Sequence, residues 1–100
     1  MPPQVIIDNK ASNRFTVIEV MARDRPALLA SLAYALFQCK LVVHSAHVAT
    51  FGERAADSFY VTDLFGDKVE SKSRLATIER RLMEAATNQA EELLGAAEYV

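Results

Sequence analysis

The chain alternates between stretches rich in β-branched and aromatic residues and stretches in which apolar residues recur every three or four positions. The first kind predicts strands, and it covers residues 5–8, 15–22, 41–51 and 54–65. Turn-forming Asn and Ser residues lie between the first two runs. Gly52-Glu53 lies between the last two and has the composition of a two-residue hairpin turn with Gly first. We therefore expect two antiparallel hairpins.

The second kind of stretch predicts two helices. The first is expected to begin near residue 25, because Asp24 is a good helix cap and Pro26 suits the first turn. Its apolar face is predicted to consist of Leu28, Leu29, Leu32, Ala33, Leu36 and Phe37. The second helix is expected from Ser73 onward, with Leu75, Ile78, Leu82 and Ala86 on one side. Residues 88–100 are predicted to extend this helix or to form a frayed tail.

Alternation along the strands predicts which residues share a face of the sheet. In residues 15–22, one face is predicted to carry Ile18, Val20 and Ala22, and the other to carry Phe15, Val17, Glu19 and Met21. Because Phe15 and Val17 are too apolar for an open face, we expect partial cover by a second subunit. In residues 41–51 the inward residues are predicted to be Val43, Ala46 and Val48. This change of parity predicts a bulge near His44-Ser45.

The order of elements, strand, strand, helix, strand, strand, helix, predicts an α+β fold of the ferredoxin-like type. Such a fold has a four-stranded antiparallel sheet with two helices on one face. It usually ends in a strand, which this chain lacks. We therefore expect residues 5–8 to take the vacant edge position beside residues 15–22. One domain is expected over residues 1–100, with its core at about residues 5–87.

Composition places the chain among globular proteins and narrows its partners. Of its 100 residues, 51% are apolar and 24% are charged, and no apolar run approaches the length of a membrane span. A net charge of −2 does not favour nucleic acid as a partner. The single cysteine, Cys39, excludes an internal disulfide and fits a reducing compartment. We expect a cytoplasmic protein that binds neither nucleic acid nor membrane.

The turn before the first helix is the best candidate binding site. Backbone N–H groups at the start of a helix attract anions, so the amides of residues 27–29 are able to bind a carboxylate. Asp24 is then placed to hold an ammonium group. The alternative is that Asp24 only caps the helix and that Arg23 and Arg25 are solvated.

Metal and acid–base sites have weaker support in the sequence. His44 and His47 are three residues apart, and on a strand this spacing points to opposite faces. With no further suitable ligands nearby, we expect no metal site and no cofactor. Asp57 and Asp63 lie six residues apart on a predicted strand, and nothing distinguishes them from ordinary strand-end residues.

Two stretches carry a resemblance to a known family: FTVIEVMARDRPALLASLAYAL at residues 15–36 and HSAHVATFGERAADSFYVTDLFG at residues 44–66. Over most of residues 5–83 the chain resembles the last ACT domain of bacterial uridylyltransferase/uridylyl-removing enzymes, which act on the PII signal protein. One position departs from the pattern: residue 27 is Ala, where ACT domains typically have Gly.

The resemblance implies a regulatory domain that senses an amino acid, glutamine first among the candidates, and that has no catalytic chemistry of its own. It also implies a homodimer or pairing with a neighbouring ACT domain. The ligand-binding residues would be Asp24, Arg25, Pro26, Ala27, Leu28 and Leu29 in the turn, with His44, Ser45 and Ala46 lining the site from the partner side.

Two other classes of function remain open at this point. A structural dimerisation module would use the same sheet and helices without a ligand, and Ala27 gives this reading weight. A small enzyme of the same fold would need an anion-binding loop and a residue that positions water, and Asn13 and Asn88 lie outside the central strands. An RNA-binding sheet would need more exposed aromatic and basic residues than Tyr60 on an acidic chain provides.

Overall fold

The computed structural model describes residues 2–87 and contains four strands and two helices. Their order is β1 (Gln4–Asp8), β2 (Thr16–Arg23), α1 (Leu28–Gln38), β3 (Leu41–Phe51), β4 (Arg54–Asp63) and α2 (Lys72–Ala86). The order of elements predicted from the sequence is confirmed. The expectation for residues 88–100 lies outside the described residues.

The strands form one antiparallel sheet in the order β1-β2-β4-β3. Strand β1 occupies the edge beside β2, with Gln4 opposite Met21 and Asp8 opposite Val17. The prediction that the N-terminal segment fills the position of the usual last strand is therefore confirmed. The other edge is β3, which pairs along its length with β4.

A buried polar network fixes the chain between β1 and β2. The Thr16 hydroxyl donates to Asn9 Oδ1 at 2.6 Å and accepts from the Val69 N–H at 2.9 Å. The Asn9 side-chain amide in turn donates to the Val69 carbonyl at 2.7 Å. Thr16 is fully buried, so these bonds replace the water that its hydroxyl and the Val69 N–H lose on folding. The network joins the β1–β2 connection to the segment that leads into α2.

Both helices pack on one face of the sheet and bury a common apolar core. From β2, β4 and α2 the core contains Ile18, Val20, Phe59, Val61, Ile78 and Leu82, among others. The predicted apolar face of α1 is only partly right: its buried residues are Leu28, Leu32, Ala35 and Leu36. Phe37 is 73% exposed, and Leu29 and Ala33 are also exposed. The outer side of α1 therefore presents an apolar stripe.

The bulge predicted in the third strand is confirmed by a shift in register between Val43 and Ser45. Val43 and Val48 lie on the helix-covered face, as predicted, because they stand opposite Val61 and Asp57. Val48 is nevertheless 56% exposed. Since β3 is an edge strand, no further strand covers its outer side within residues 2–87.

The open face of the sheet needs less cover than the sequence suggested. Val17 is 4% exposed within a single chain. Phe15 is half-buried, with its ring 6.2 Å from that of Tyr60. The expectation that Val17 needs a second subunit to cover it is therefore wrong, because it is already buried within its own chain.

Candidate functional site

A tight turn, and not a helical turn, connects β2 to α1. The Leu28 N–H donates to the Arg25 carbonyl at 3.2 Å, and Ala27 adopts φ 66° and ψ 5°. Pro26 followed by a residue of positive φ is the arrangement of a type II β-turn. The helix therefore begins at Leu28, and the prediction that it begins near residue 25 is wrong.

Asp24 is not the cap of α1, which corrects the second part of that prediction. The N-cap position is occupied by Ala27, and no side chain caps the helix. Instead, the backbone N–H of Asp24 donates to the Glu53 carbonyl at 2.7 Å, which ties the turn to the β3–β4 hairpin. The Asp24 side chain is exposed. Its carboxylate is therefore available to a ligand at the turn.

Arg25 holds the other side of the turn. Its guanidinium Nη2 donates to the Ala85 carbonyl at 2.7 Å, near the C-terminal end of α2. A cation at this position also interacts favourably with the negative end of the helix dipole. The expectation that Arg25 is simply solvated is therefore wrong. Among the predicted site residues, Arg25 is the one whose side chain anchors the turn to another element.

The first turn of α1 presents backbone donors to solvent. Ser31 is the first residue of the helix whose N–H bonds four residues back, to the Ala27 carbonyl at 2.9 Å. The N–H groups of Leu29 and Ala30 have no backbone acceptor outside the helix among residues 2–87. Pro26, Ala27 and Leu29 are exposed, whereas Leu28 is buried in the core. An anion such as a carboxylate is the group that these donors and the helix dipole favour.

A buried carboxyl group lies on the same side of the sheet. Asp57 is 2% exposed. It lies on the same face of β4 as the core residues Ala55 and Phe59, two positions away on either side. Its Oδ1 has no hydrogen-bond partner among the described residues. Burial raises the pKa of the Asp57 carboxyl, and the negative charge of Asp24 raises it further.

The remaining predicted site residues, His44, Ser45 and Ala46, are not brought to the turn within one chain. Ser45 pairs with Tyr60, six positions along β4 from Arg54, the residue beside the turn. At the usual rise per strand residue, this separation is about 20 Å. These three residues are therefore able to reach a turn only if it belongs to another copy or another domain.

The two histidines lie on the same face, so the expectation that they point to opposite faces is wrong. The bulge turns His44 onto the open face, where its Nε2 lies 2.8 Å from the Thr62 hydroxyl and its ring 4.9 Å from that of Phe15. The ring of His47 lies 5.5 Å from that of Tyr60. The result is an aromatic cluster on the open face of the sheet.

Within residues 2–87, no group of three or more His, Cys, Asp or Glu side chains is placed to hold a metal ion. No helix in the same part of the chain has the length and apolarity needed to cross a membrane.

Comparison with known families decides the identity of this arrangement. The sequence profile of the ACR family N-terminal ACT domain matches residues 11–89. The chain belongs to the ACT domain family. The fold described above is thus that of an ACT domain.

The most similar relatives include three named as bifunctional uridylyltransferase/uridylyl-removing enzymes. Identity is 67% over 87 residues for the protein from Novosphingobium aromaticivorans, 61% over 84 for Zymomonas mobilis and 57% over 86 for Erythrobacter litoralis. These matches cover 87%, 84% and 86% of this chain but only 10%, 9% and 9% of the relatives. The ACT domain therefore spans about a tenth of their length.

A solved structure supports the fold alone. The crystal structure of an unknown protein from Galdieria sulphuraria aligns with a TM-score of 0.53 at 23% identity. The alignment covers 66% of this chain and 37% of that chain.

The departure from Gly at residue 27 lies where the backbone is left-handed, at Ala27 with φ 66°. Sequence reasoning missed one feature of the candidate site. This feature is Asp57, which lies within β4 on its buried face and is not a strand-end residue. Its parity with Ala55 and Phe59 was the available signal. Asp63 is the true strand-end residue, and its carboxylate accepts from the Phe65 N–H at 2.8 Å.

Proposed function

We propose that this ACT domain is the regulatory amino-acid-sensing domain of a uridylyltransferase/uridylyl-removing enzyme in nitrogen regulation, with glutamine as its effector. The names of the relatives support a uridylyltransferase/uridylyl-removing enzyme as the parent protein. The parent enzyme would act on the PII signal protein in the cytoplasm. The domain itself supplies the sensor and no catalytic group.

The observation that carries the proposal is the uncapped N-terminus of α1 beside an exposed carboxylate. An amino acid presents a carboxylate and an ammonium group close together. The amides of Leu29 and Ala30 take the carboxylate, and Asp24 takes the ammonium. Because the Asp24 backbone is tied to Glu53 and Arg25 is tied to Ala85, the turn holds its shape before the ligand arrives.

The second part of the site comes from a partner in this proposal. Strand β3 is a long edge strand with exposed apolar residues. It directly follows α1 in the chain, and α1 carries the exposed apolar stripe. If two β3 strands pair antiparallel about a two-fold axis at Val48, Ala46 of the partner subunit stands opposite Thr50. The partner's residues 44–46 then lie opposite residues 50–52, next to Glu53 and the turn. A homodimer, or pairing with a neighbouring ACT domain, completes the site in this way.

Thermal melting of the chain with each of the twenty amino acids tests the proposal. A ligand present at 100 times its dissociation constant adds about 2.7 kcal/mol to the free energy of unfolding. We expect glutamine to raise the melting temperature more than the others. A melting temperature unaffected by any of the twenty would favour a structural dimerisation module.

A further inference from the structure

Asp57 is a buried acid whose position in the sheet has no structural explanation. It stands on the helix-covered face, opposite Val20 of β2 and Val48 of β3, both apolar. The buried Oδ1 has no hydrogen-bond partner within residues 2–87, although the side chain is 98% withdrawn from solvent. A buried polar atom without a partner destabilises the fold. A buried polar atom of this kind needs a partner from outside the described residues, such as a ligand, a water molecule or an ion.

Asp57 lies on the strand that leads to the proposed amino-acid site. Along β4, Asp57 is three residues from Arg54, which pairs with Arg23 at the end of β2. The next residues, Asp24 and Glu53, are joined by the hydrogen bond that holds the turn. The three residues correspond to about 10 Å along the strand. Burial raises the pKa of the Asp57 carboxyl, and the negative charge of Asp24 raises it further.

Two neighbouring acids favour one class of effector over another. A side chain that ends in N–H donors satisfies the free Asp57 oxygen. A side chain that ends in a carboxylate meets two negative groups and leaves the oxygen without a donor. Glutamine and glutamate differ in this one group and are otherwise similar in size and shape.

We infer that Asp57 is the specificity-determining residue of this site: its carboxylate accepts a hydrogen bond from the side-chain amide of the effector and thereby selects glutamine over glutamate. The inference rests on the proposed function, since it takes the effector's carboxylate and ammonium to be held at the α1 terminus and Asp24. Asp57 then recognises the third polar group of the same molecule.

Isothermal titration of wild type and Asp57→Asn with glutamine and with glutamate tests the inference. We expect wild type to prefer glutamine by at least about tenfold, and Asp57→Asn to narrow the ratio of the two affinities by about tenfold or more. An amide at residue 57 carries less charge and also offers a donor to glutamate. Glu19→Gln is the matched control. Glu19 pairs with Ser58, the neighbour of Asp57 in β4, but its side chain is exposed on the other face of the sheet. This control should leave the ratio unchanged.

Thermal melting of the same variants separates recognition from a structural role. Because the substitution replaces a buried acid with a neutral amide, Asp57→Asn should melt at or above the wild-type temperature without ligand. An unchanged ratio in Asp57→Asn, or a wild type that binds both amino acids equally, would overturn the inference and leave the proposed function standing. A wild type that binds neither would overturn the proposed function itself.

Discussion

The backbone N–H of Asp24 donates to the carbonyl oxygen of Glu53 at 2.7 Å, so the turn that precedes α1 is attached to the tip of the β3–β4 hairpin. The two segments are far apart in sequence and are brought together by the pairing of β2 with β4. A change at the turn is thereby linked to the hairpin that ends the exposed edge strand. In the proposed function, ligand binding and subunit pairing would therefore involve adjoining parts of the chain.

Replacing Ala27 with Gly should stabilise the domain. Ala27 has φ 66°, a left-handed conformation that is strained for a residue with a Cβ atom. Allowing for the greater freedom of Gly in the unfolded chain, we expect Ala27→Gly to add about 0.5–1 kcal/mol to the free energy of unfolding. Chemical denaturation measures this change.

Lys40→Gly is the matched control for that substitution. Lys40 has φ 60° and follows α1 at the end opposite the turn. It should give a similar gain in stability but no change in affinity for glutamine. A loss of stability in Ala27→Gly would contradict the strain at this position.

Thr16→Val should destabilise the domain by about 1–3 kcal/mol, although the two side chains have nearly the same shape. The substitution leaves the Val69 N–H and the Asn9 side chain without their buried partner. Thr50→Val, at an exposed position of β3, is the control and should change stability little. Equal effects of the two substitutions in urea denaturation would contradict the role assigned to the network.

The stability difference between Asp57→Asn and wild type should depend on pH. Because the folded-state pKa of Asp57 is raised above its ordinary value, the folded state binds a proton more tightly than the unfolded state. Wild-type stability therefore falls as pH rises from the ordinary value through the raised value, and this loss is fully present above it. We expect the advantage of Asp57→Asn to be small at low pH and to grow across this window. A difference that stays constant with pH in denaturation experiments would contradict the burial of a titrating acid.

Val48→Lys should disrupt pairing between copies of the chain. Val48 is exposed on edge strand β3, and the proposed two-fold axis at this residue would place two lysines side by side. Ile6→Lys is the control, because Ile6 is an exposed apolar residue of the opposite edge strand, β1. Light scattering should give a dimer for wild type and Ile6→Lys and an 11.1 kDa monomer for Val48→Lys. A wild type that is monomeric at high concentration would contradict the proposed assembly.

Local patterns in the sequence predicted the elements of this fold, and long-range contacts decided the details that they missed. Alternation in residues 15–22 predicted the core-facing residues Ile18, Val20 and Ala22, and the change of parity near His44 predicted the bulge. The predicted start of α1 was wrong because the fixed φ of Pro26 suits both the second position of a type II turn and the first turn of a helix. Periodicity also predicted a wider buried face for α1 than the structure shows, because Leu29, Ala33 and Phe37 are exposed.

The candidate site was predicted less completely than the fold. The turn at residues 24–29 was identified from its sequence because a helix N-terminus has predictable chemistry. The bonds of Asp24 to Glu53 and of Arg25 to Ala85 could not be predicted, since they depend on how β4 and α2 pack against the turn. Asp57 was not recognised as a buried acid because its depth depends on both neighbouring strands.

Calorimetric titration of glutamine into the wild-type chain and into Asp24→Ala tests the central claim most directly. We predict saturable binding by wild type at one glutamine per chain. Asp24→Ala should lower the affinity by about tenfold or more, the usual effect of losing a charge-assisted hydrogen bond, while stability without ligand changes little, because Asp24 does not cap the helix. Absence of binding heat from the wild-type chain, with glutamine and with the other amino acids, would contradict the claim that this ACT domain is an amino-acid sensor.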